Sequence, residues 1–568
     1  MDLYEQKKDT GNKSLKIITL SGTESVTKNL TVYEYDEDII LVDCGVGFPD
    51  MDQYGVNVVI PDFNYVLENA HKVRGLFLTH GHEDHIGAVP YLLREMDIPI
   101  YANKLVQGFL NERLNDRAFR DLSGKARFHL FTPGIEEVVL GRFKVSAFPT
   151  NHSVPSSMGL AIETPEGLVL HMADYKMDWT PVLDPPIDLG LISQYGRSGV
   201  LCLLSDCLNV TTEGYSKSEN TLNETFNDIF DNSTQRQVLI TTISSNISRM
   251  YQIIDAAIKH RRKIVLSGRS IEQSVSVARN LGYLPFDQDL FIKEEESQKF
   301  KQKDLVYIIA GCYGQEGSSL GRLSRGEHES IVLEDNALVV FSADPNPPGV
   351  EMDVEKVMSS LIIAGAEILY SKIQNNLHIS GHGTRGDLMT VAALAKPKYF
   401  IPIGGTVTRM RSYRTMVSEL GVDKTRVFEC MEGDSVVFNN GQASKGKKIE
   451  TKPVYIDNNG IGEINPVIIR DRDQLSSDGV FVVIIPASPK GDFYPNKVEI
   501  VTRGFIYVKS SKELMDKSKQ HIIKIFDKGI SKSKEWQDFK RRLESKIEDF
   551  LYKETGSSPM VIVHTIIV

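Results

Sequence analysis

A chain of 568 residues is too long for one hydrophobic core and is expected to divide into two to four domains. It is 41% hydrophobic and 25% charged with a formal net charge of −10, the balance of a soluble globular protein; it does not advertise nucleic-acid binding, yet it allows a local basic groove. No apolar run approaches the roughly 18–20 residues of a membrane span, and residues 1–8 lack an apolar signal core, so a cytoplasmic protein with no membrane association is expected.

Residues 15–60 read as β-rich. Residues 15–20 and 29–35 are strand-like, and 39–45 is an apolar strand ending in Asp43-Cys44-Gly45. A carboxylate at such a strand end commonly orients a neighbouring metal-bound histidine, the part expected of Asp43. The apolar run 73–78 leads into Thr79-His80-Gly81-His82-Glu83-Asp84-His85. Four side chains of metal-ligating type fall there within six residues, in a chain with 13 histidines. Imidazole and carboxylate suit zinc and similar divalent ions. His80 and His82 are two apart and point the same way in an extended segment. Asp84 and His85 are adjacent, so they are expected to diverge and serve a second ion. One ion cannot easily use all four at this spacing, which makes a two-metal hydrolytic site the natural reading.

Helical periodicity follows over 86–96, then a strand at 98–101 and a helix over 105–114. Strands at 135–140 and 143–148 lead into Asn151-His152-Ser153-Val154-Pro155, and a strand at 167–172 runs into Ala173-Asp174. His152 supplies one more imidazole, and Asp174 one more carboxylate, a group able to bridge two ions. The strand 201–206 closes this first run. From about residue 211 helices (220–230, 248–259, 271–281) alternate with strands (237–242, 263–267, 304–310, 337–341), the pattern of a parallel α/β insertion. A second histidine cluster, His378-Ile379-Ser380-Gly381-His382-Gly383, lies at a strand-to-helix junction. The strand 398–403 then ends in Gly404-Gly405-Thr406, small residues suited to holding a phosphate on backbone N–H groups. Residues 441–460 are polar and linker-like. The tail, 461–568, reads as a small α/β unit with strands at 480–486, 497–508 and 560–568, and a helix placing Trp536, Phe539, Leu543, Ile547 and Phe550 on one face. Such a unit is expected to serve assembly. The basic runs His260-Arg261-Arg262-Lys263 and Lys445-Gly446-Lys447-Lys448 read as solvated faces, and the five scattered cysteines as reduced and mostly buried.

The run Thr79 to Gly87 resembles the signature of metallo-β-lactamase-fold hydrolases. Extended through Ala88-Val89-Pro90-Tyr91-Leu92-Leu93-Arg94, it is similar to the ribonuclease J family in particular. Phe48-Pro49 with Val59-Ile60-Pro61-Asp62, Asn151-His152-Ser153-Val154-Pro155 and the His378–His382 cluster carry the same likeness. So do Lys396-Pro397-Lys398-Tyr399-Phe400-Ile401-Pro402-Ile403 and Thr502-Arg503-Gly504-Phe505-Ile506-Tyr507-Val508. The resemblance spans almost the whole chain. It implies an αββα metallo-β-lactamase sandwich (1–212 and 373–445) interrupted by a β-CASP α/β insertion (213–372), then a linker (446–460) and a C-terminal dimerisation domain (461–568).

It further implies a ribonuclease of RNA decay, RNA maturation and rRNA processing, cutting endonucleolytically and 5′→3′ on single-stranded RNA with a 5′ monophosphate. It implies a homodimer or tetramer, alone or with a paralogous subunit. Carried over by motif, one Zn2+ takes His80, His82 and His152. The other takes Asp84 and His85, with Asp174 bridging; Mn2+ and Mg2+ are alternatives. His378, Ile379, Ser380, Gly381 and His382 match the segment that contacts substrate nucleotide and phosphate, and Ser244, Ser245 and Asn246 resemble a further contact. In two-metal hydrolysis leaving a 5′-phosphate, Asp84 orients the attacking water or accepts its proton, and His382 stabilises the phosphorane or protonates the leaving oxygen.

Three departures stand out. Gly404 occupies the position of the family's last histidine ligand, so the second ion loses a donor and is expected to bind weakly. Residues 21–29 match the family's Gly-rich N-terminal loop only loosely. Phe341-Ser342-Ala343-Asp344-Pro345 places an acid where the family favours serines, near the expected phosphate path. Gly404 keeps a second reading open, a weakly active or inactive paralogue serving as a structural subunit.

Overall fold

The apolar alternation near the N-terminus becomes the antiparallel strands Leu15–Ser21 and Leu30–Tyr35 of an eight-stranded sheet. Its order runs Gln442–Lys445, Ser435–Asn439, Leu15–Ser21, Leu30–Tyr35, Asp38–Val42, Val73–Phe77, Pro99–Ala102, Arg127–Leu130. A six-stranded sheet faces it, ordered Tyr399–Ile403, Val200–Asp206, Gly167–His171, Met158–Thr164, Phe143–Pro149, Glu137–Leu140. Ile17, Tyr33, Ile40, Val42 and Phe77 from the first pack against Val145, Leu160, Val169, Leu204 and Ile401 from the second. On the far side of the second sheet, Leu170, Leu203 and Phe400 pack on the helices Leu189–Ser198, Arg385–Ala395 and Val407–Glu419. The layering is the expected sandwich.

The coordinates, a computed structural model, describe residues 13–24, 26–49, 53–344, 350–374, 376–457, 465–490, 492–506, 511–527 and 536–568. The N-terminal stretch 1–8, Ser25 of the 21–29 loop, Pro345, linker residues 458–460 and Tyr507-Val508 lie outside them. The chain divides into two compact units, one formed by Met1–Phe48 with Val59–Val454 and one by Pro49–Val58 with Tyr455–Val568.

Within the first unit the alternating region folds as a six-stranded sheet ordered Phe291–Ile292, Lys263–Ser267, Leu305–Ile309, Val238–Thr241, Leu338–Phe341, Glu367–Leu369, parallel at every pairing. Both faces are covered, so its central strands are buried throughout. In the second unit the strands Glu499–Arg503, Val480–Ala487 and Met560–Ile567 form one sheet. The helix Trp536–Thr555 buries Phe539, Leu543, Ile547 and Leu551 against it. Leu551, four residues after Ile547, takes the place expected of Phe550, which sits at the margin and stacks on His521 with ring centroids 4.4 Å apart.

Several elements differ from expectation. The helix over 86–96 is two pieces, Glu83–Ile86 and Val89–Glu95, because the metal-type motif itself starts the first turn. Arg262 is not on a solvated face: it is buried, and its guanidinium donates to the carbonyls of Leu305 (2.8 Å) and Arg236 (3.1 Å). Part of the linker-like stretch, Val454–Asp457, is a strand. All five cysteines are buried and unpaired. Among the described residues no helix is long and apolar enough to cross a membrane.

Candidate active site

The sandwich delivers its chemistry at strand ends. Asp43 follows Asp38–Val42, and the histidine motif follows Val73–Phe77. His152 follows Phe143–Pro149, Asp174 follows Gly167–His171, and Asp206 ends Val200–Asp206. The loops are tied to each other: Lys176 N donates to Asn151 O (2.8 Å), Gly383 N to Tyr175 O (2.6 Å), and His152 Nδ1 lies 2.7 Å from Gly381 O. Gly381 has no alternative, since a Cβ there would lie 2.6 Å from the His152 ring.

His80 Nε2 and His152 Nε2 lie 3.2 and 3.0 Å from His82 Nδ1. Burial first, then the neighbouring imidazoles, holds all three well below the ordinary histidine range, His152 at about 3. Three neutral rings therefore aim nitrogens at one point. One ring proton can bridge one N···N contact; a shared divalent cation satisfies all three. Asp174 Oδ2 stands 3.8 Å from His80 Nε2, 3.9 Å from His152 Nε2, 3.2 Å from His85 Nε2 and 3.9 Å from His382 Nε2. Burial would raise the Asp174 carboxyl, but His85 and His382 hold it well below the usual carboxylate range.

Asp84 and His85 do not diverge as their adjacency predicts. His82 is still extended (φ −79°, ψ 148°), and the helical turn starting at Glu83 folds Asp84 Oδ2 to 3.5 Å from His85 Nε2. The pair converges on Asp174. Behind it, Asp43 Oδ2 lies 2.7 Å from His85 Nδ1, and Asp43 Oδ1 accepts from Thr79 N (2.9 Å). The Thr79 hydroxyl in turn lies 3.0 Å from His80 Nδ1. One buried carboxylate thus orients His85 directly and His80 through Thr79. Among the described residues three groups bring ligand atoms within 4.8 Å of one another: His80, His82, His152 and Asp174; Asp84, His85 and Asp174; and Asp174, Asp206 and His382. The donor set fits divalent cations.

His382 Nδ1 lies 2.7 Å from Asp206 Oδ2. Burial opposes a charge on His382, but Asp206 and Asp174 carry its pKa up to about 9. Asp206 escaped the sequence reading, although its signature, a buried apolar strand ending in Asp, is the one that flagged Asp43 and Asp174. Other unforeseen partners are Ser153, whose Oγ lies 3.0 Å from His82 Nε2, and Asn29, whose Nδ2 lies 3.1 Å from His85 Nε2. Asn209 Nδ2 donates to Ser380 Oγ (2.9 Å) and to His382 O (3.2 Å), holding the second histidine cluster in place.

The expected substrate contacts divide. His378 is pressed down to about 3, by burial and then by Arg249. Ile379 packs into the insertion's core, so a substrate could meet only its backbone. Ser380 accepts from His382 N (3.1 Å) and braces the turn. Ser244 and Ser245 form a half-buried turn. Asn246 is buried, and its side-chain oxygen caps the helix Ile247–Lys259 by accepting from Arg249 N (2.9 Å), so that oxygen is committed to the fold. Ser342 is likewise committed, donating to Leu377 O (2.8 Å) and accepting from Arg249 Nη1 (2.6 Å), whereas Asp344 is exposed. Gly404 ends the strand Tyr399–Ile403 with φ +66°; a Cβ there would stand 3.5 Å from Asp206 Oδ1 and 3.6 Å from Asp174 Oδ1.

Comparison with known proteins matches the sequence to family profiles. Residues 26–198 match the metallo-beta-lactamase superfamily, 235–361 the ribonuclease J beta-CASP domain, 367–427 the Zn-dependent metallo-hydrolase RNA specificity domain and 467–568 the ribonuclease J C-terminal domain. Ribonuclease J2 of Bacillus subtilis (strain 168) is 34% identical over 98% of this chain and 99% of its own. The chain belongs to the ribonuclease J family. Ribonuclease J 2 of Staphylococcus saprophyticus is 31% identical over 99% of both chains, and ribonuclease J 1 of Streptococcus pyogenes serotype M3 is 31% identical over 96% of both. A solved structure described as a protein of unknown function from Enterococcus faecalis V583 shares the fold, with a TM-score of 0.53 and 15% identity over 75% of this chain and 100% of its own. Ribonuclease J membership and these domains support a metal-dependent hydrolytic ribonuclease.

Proposed function

We propose that this chain cleaves single-stranded RNA by two-metal hydrolysis, endonucleolytically and 5′→3′ from a 5′ monophosphate, in RNA decay and maturation. The observation that carries the reading is the grouping of the three neutral imidazoles of His80, His82 and His152 with Asp174, next to the Asp84–His85 pair. His80, His82, His152 and Asp174 would hold the first ion, and Asp84, His85 and Asp174 the second. Divalent cations bound there supply Lewis acidity that polarises the phosphodiester and eases deprotonation of water. Asp84, which burial raises to about 6, orients the attacking water and accepts its proton. His382, kept charged by Asp206, gives a proton to the leaving 3′ oxygen. The Ser380–Gly381 turn holds the substrate phosphate. The proposed domains are a metallo-β-lactamase part at 1–212 and 373–445, a β-CASP part at 213–372 and a dimerising tail at 461–568.

Gly404 favours a second reading, a weakly active subunit beside an active paralogue; the relatives carry both J1 and J2 names. Without a donor at 404, the wild type should bind one ion tightly and the second weakly. Metal counts on dialysed protein check this, and two tightly held ions per chain would contradict it. Gly404→His should strengthen the second ion and raise activity. It should also cost about 1 kcal/mol of unfolding free energy, because a side chain at φ +66° is strained. The fold accepts such strain nearby, at Asp43 (φ 61°) and Ala173 (φ 52°). Incubation with 5′-monophosphorylated and 5′-triphosphorylated RNA under defined metals separates the readings. Degradation by wild type supports the nuclease; an inert wild type with an active Gly404→His variant supports the structural subunit.

A further inference from the structure

The place left by residue 404 is flanked by two carboxylates. The Cβ position of Gly404 lies 3.5 Å from Asp206 Oδ1 and 3.6 Å from Asp174 Oδ1, both side chains are buried, and their ligand atoms lie within 4.8 Å of each other. Two buried anions facing one space need positive charge between them. His382 supplies some, but it is spent on the other oxygens: its Nδ1 holds Asp206 Oδ2 at 2.7 Å, and its Nε2 lies 3.9 Å from Asp174 Oδ2. Asp206 Oδ1 accepts one hydrogen bond, from Leu208 N at 2.7 Å, and a carboxylate oxygen keeps a second lone pair.

We propose that Asp206 stands in for the side chain missing at position 404, so that Asp206 would join Asp174 in holding the second cation. The inference rests on the two-ion reading above and specifies its weaker half. Asp206 then has two tasks, one oxygen for His382 and one for the ion. A carboxylate already engaged by an imidazole and a backbone N–H is a poorer donor than a free one, so the second ion should be held more weakly than the first.

The test is a Zn2+ titration of metal-stripped full-length protein, following both binding steps by calorimetry, with wild type, Asp206→Asn, Gly404→His and the double variant. Asp206→Asn should weaken the second step about 10–100-fold and leave the first unchanged. Gly404→His should restore the second step in the Asp206→Asn background. A role confined to positioning His382 would lower activity and leave both steps intact, which overturns the proposal. Should Asp206→Asn fail to fold, anomalous scattering from Zn2+-soaked wild-type crystals decides. A second zinc within about 2.0–2.2 Å of Asp206 Oδ1 supports the proposal, and one coordinated without Asp206 overturns it. A wild type that binds two ions with the Asp206→Asn variant unchanged defeats this inference alone. A wild type that binds no ion defeats the two-ion reading as well.

Discussion

Replacing His82 with alanine should leave the fold standing and lower RNA hydrolysis about 10³-fold or more. His82 Nδ1 is the point on which His80 and His152 converge, at 3.2 and 3.0 Å, so its loss removes the middle of the first ion's donor set. An ion acting as Lewis acid contributes several kcal/mol of transition-state stabilisation, and 1.36 kcal/mol is a factor of ten in rate. The fold should survive because His82 is partly exposed and starts a helical turn through its backbone, with no side-chain hydrogen bond to the cap. Single-turnover cleavage, with circular dichroism on the same samples, checks both halves. Retention of more than about a tenth of the wild-type rate would remove His82 from the reaction.

Glu219→Gln should be the most damaging single substitution away from the ions. Glu219 Oε1 lies 3.0 Å from Lys176 Nζ and Oε2 lies 2.8 Å from Arg249 Nη2, with all three side chains buried. Lys176 is two residues from Asp174, and Arg249 Nη1 also reaches Ser342 O (3.0 Å) and Leu377 O (3.4 Å), the residue before His378. The cluster therefore ties the insertion to both halves of the site. Removing the carboxylate takes from buried Arg249 its carboxylate partner and leaves buried Lys176 with Asp178 alone, 3.6 Å away, a loss of about 3 kcal/mol in unfolding free energy.

The pH dependence has a definite sign. Burial would raise the Glu219 carboxyl, but Lys176 and Arg249 outweigh it and bring it from 4.5 down to about 2. A depressed folded-state value means the stabilisation is present above about pH 4.5 and is lost as pH falls toward 2. It amounts to about 3 kcal/mol at 1.36 kcal/mol per unit. Denaturant unfolding between pH 7 and pH 3 should show about 2 kcal/mol of this component in the wild type and lack it in Glu219→Gln.

The sandwich and the parallel insertion were legible because most of their strands announce themselves by apolar runs of the right length; Arg127–Leu130, Met158–Thr164, Ser435–Asn439 and Gln442–Lys445 do not, and went unread. The ligand-type residues were legible because they end those strands. What local patterns missed was what depends on tertiary placement. Asp84 and His85 converge because a helix starts at Glu83, one residue before the pair. Asp206 carries no histidine beside it, and its meaning comes from His382, 176 residues away. Asn246 looks like a polar loop residue until the helix it caps is seen. Gly404 was visible as a missing donor, but the carboxylates facing its empty side appear only in three dimensions.

RNA hydrolysis by this chain should require divalent cations held by His80, His82, His152, Asp84, His85 and Asp174. The most direct measurement strips the wild-type protein with a chelator, returns Zn2+, Mn2+ or Mg2+ in steps, and records ions bound per chain and cleavage of 5′-monophosphorylated RNA on the same samples. Cleavage should be absent from the stripped protein and should rise with occupancy, yielding 5′-phosphate ends. Undiminished cleavage by stripped protein, or a fully loaded wild type that leaves RNA intact, would contradict a metal-dependent ribonuclease.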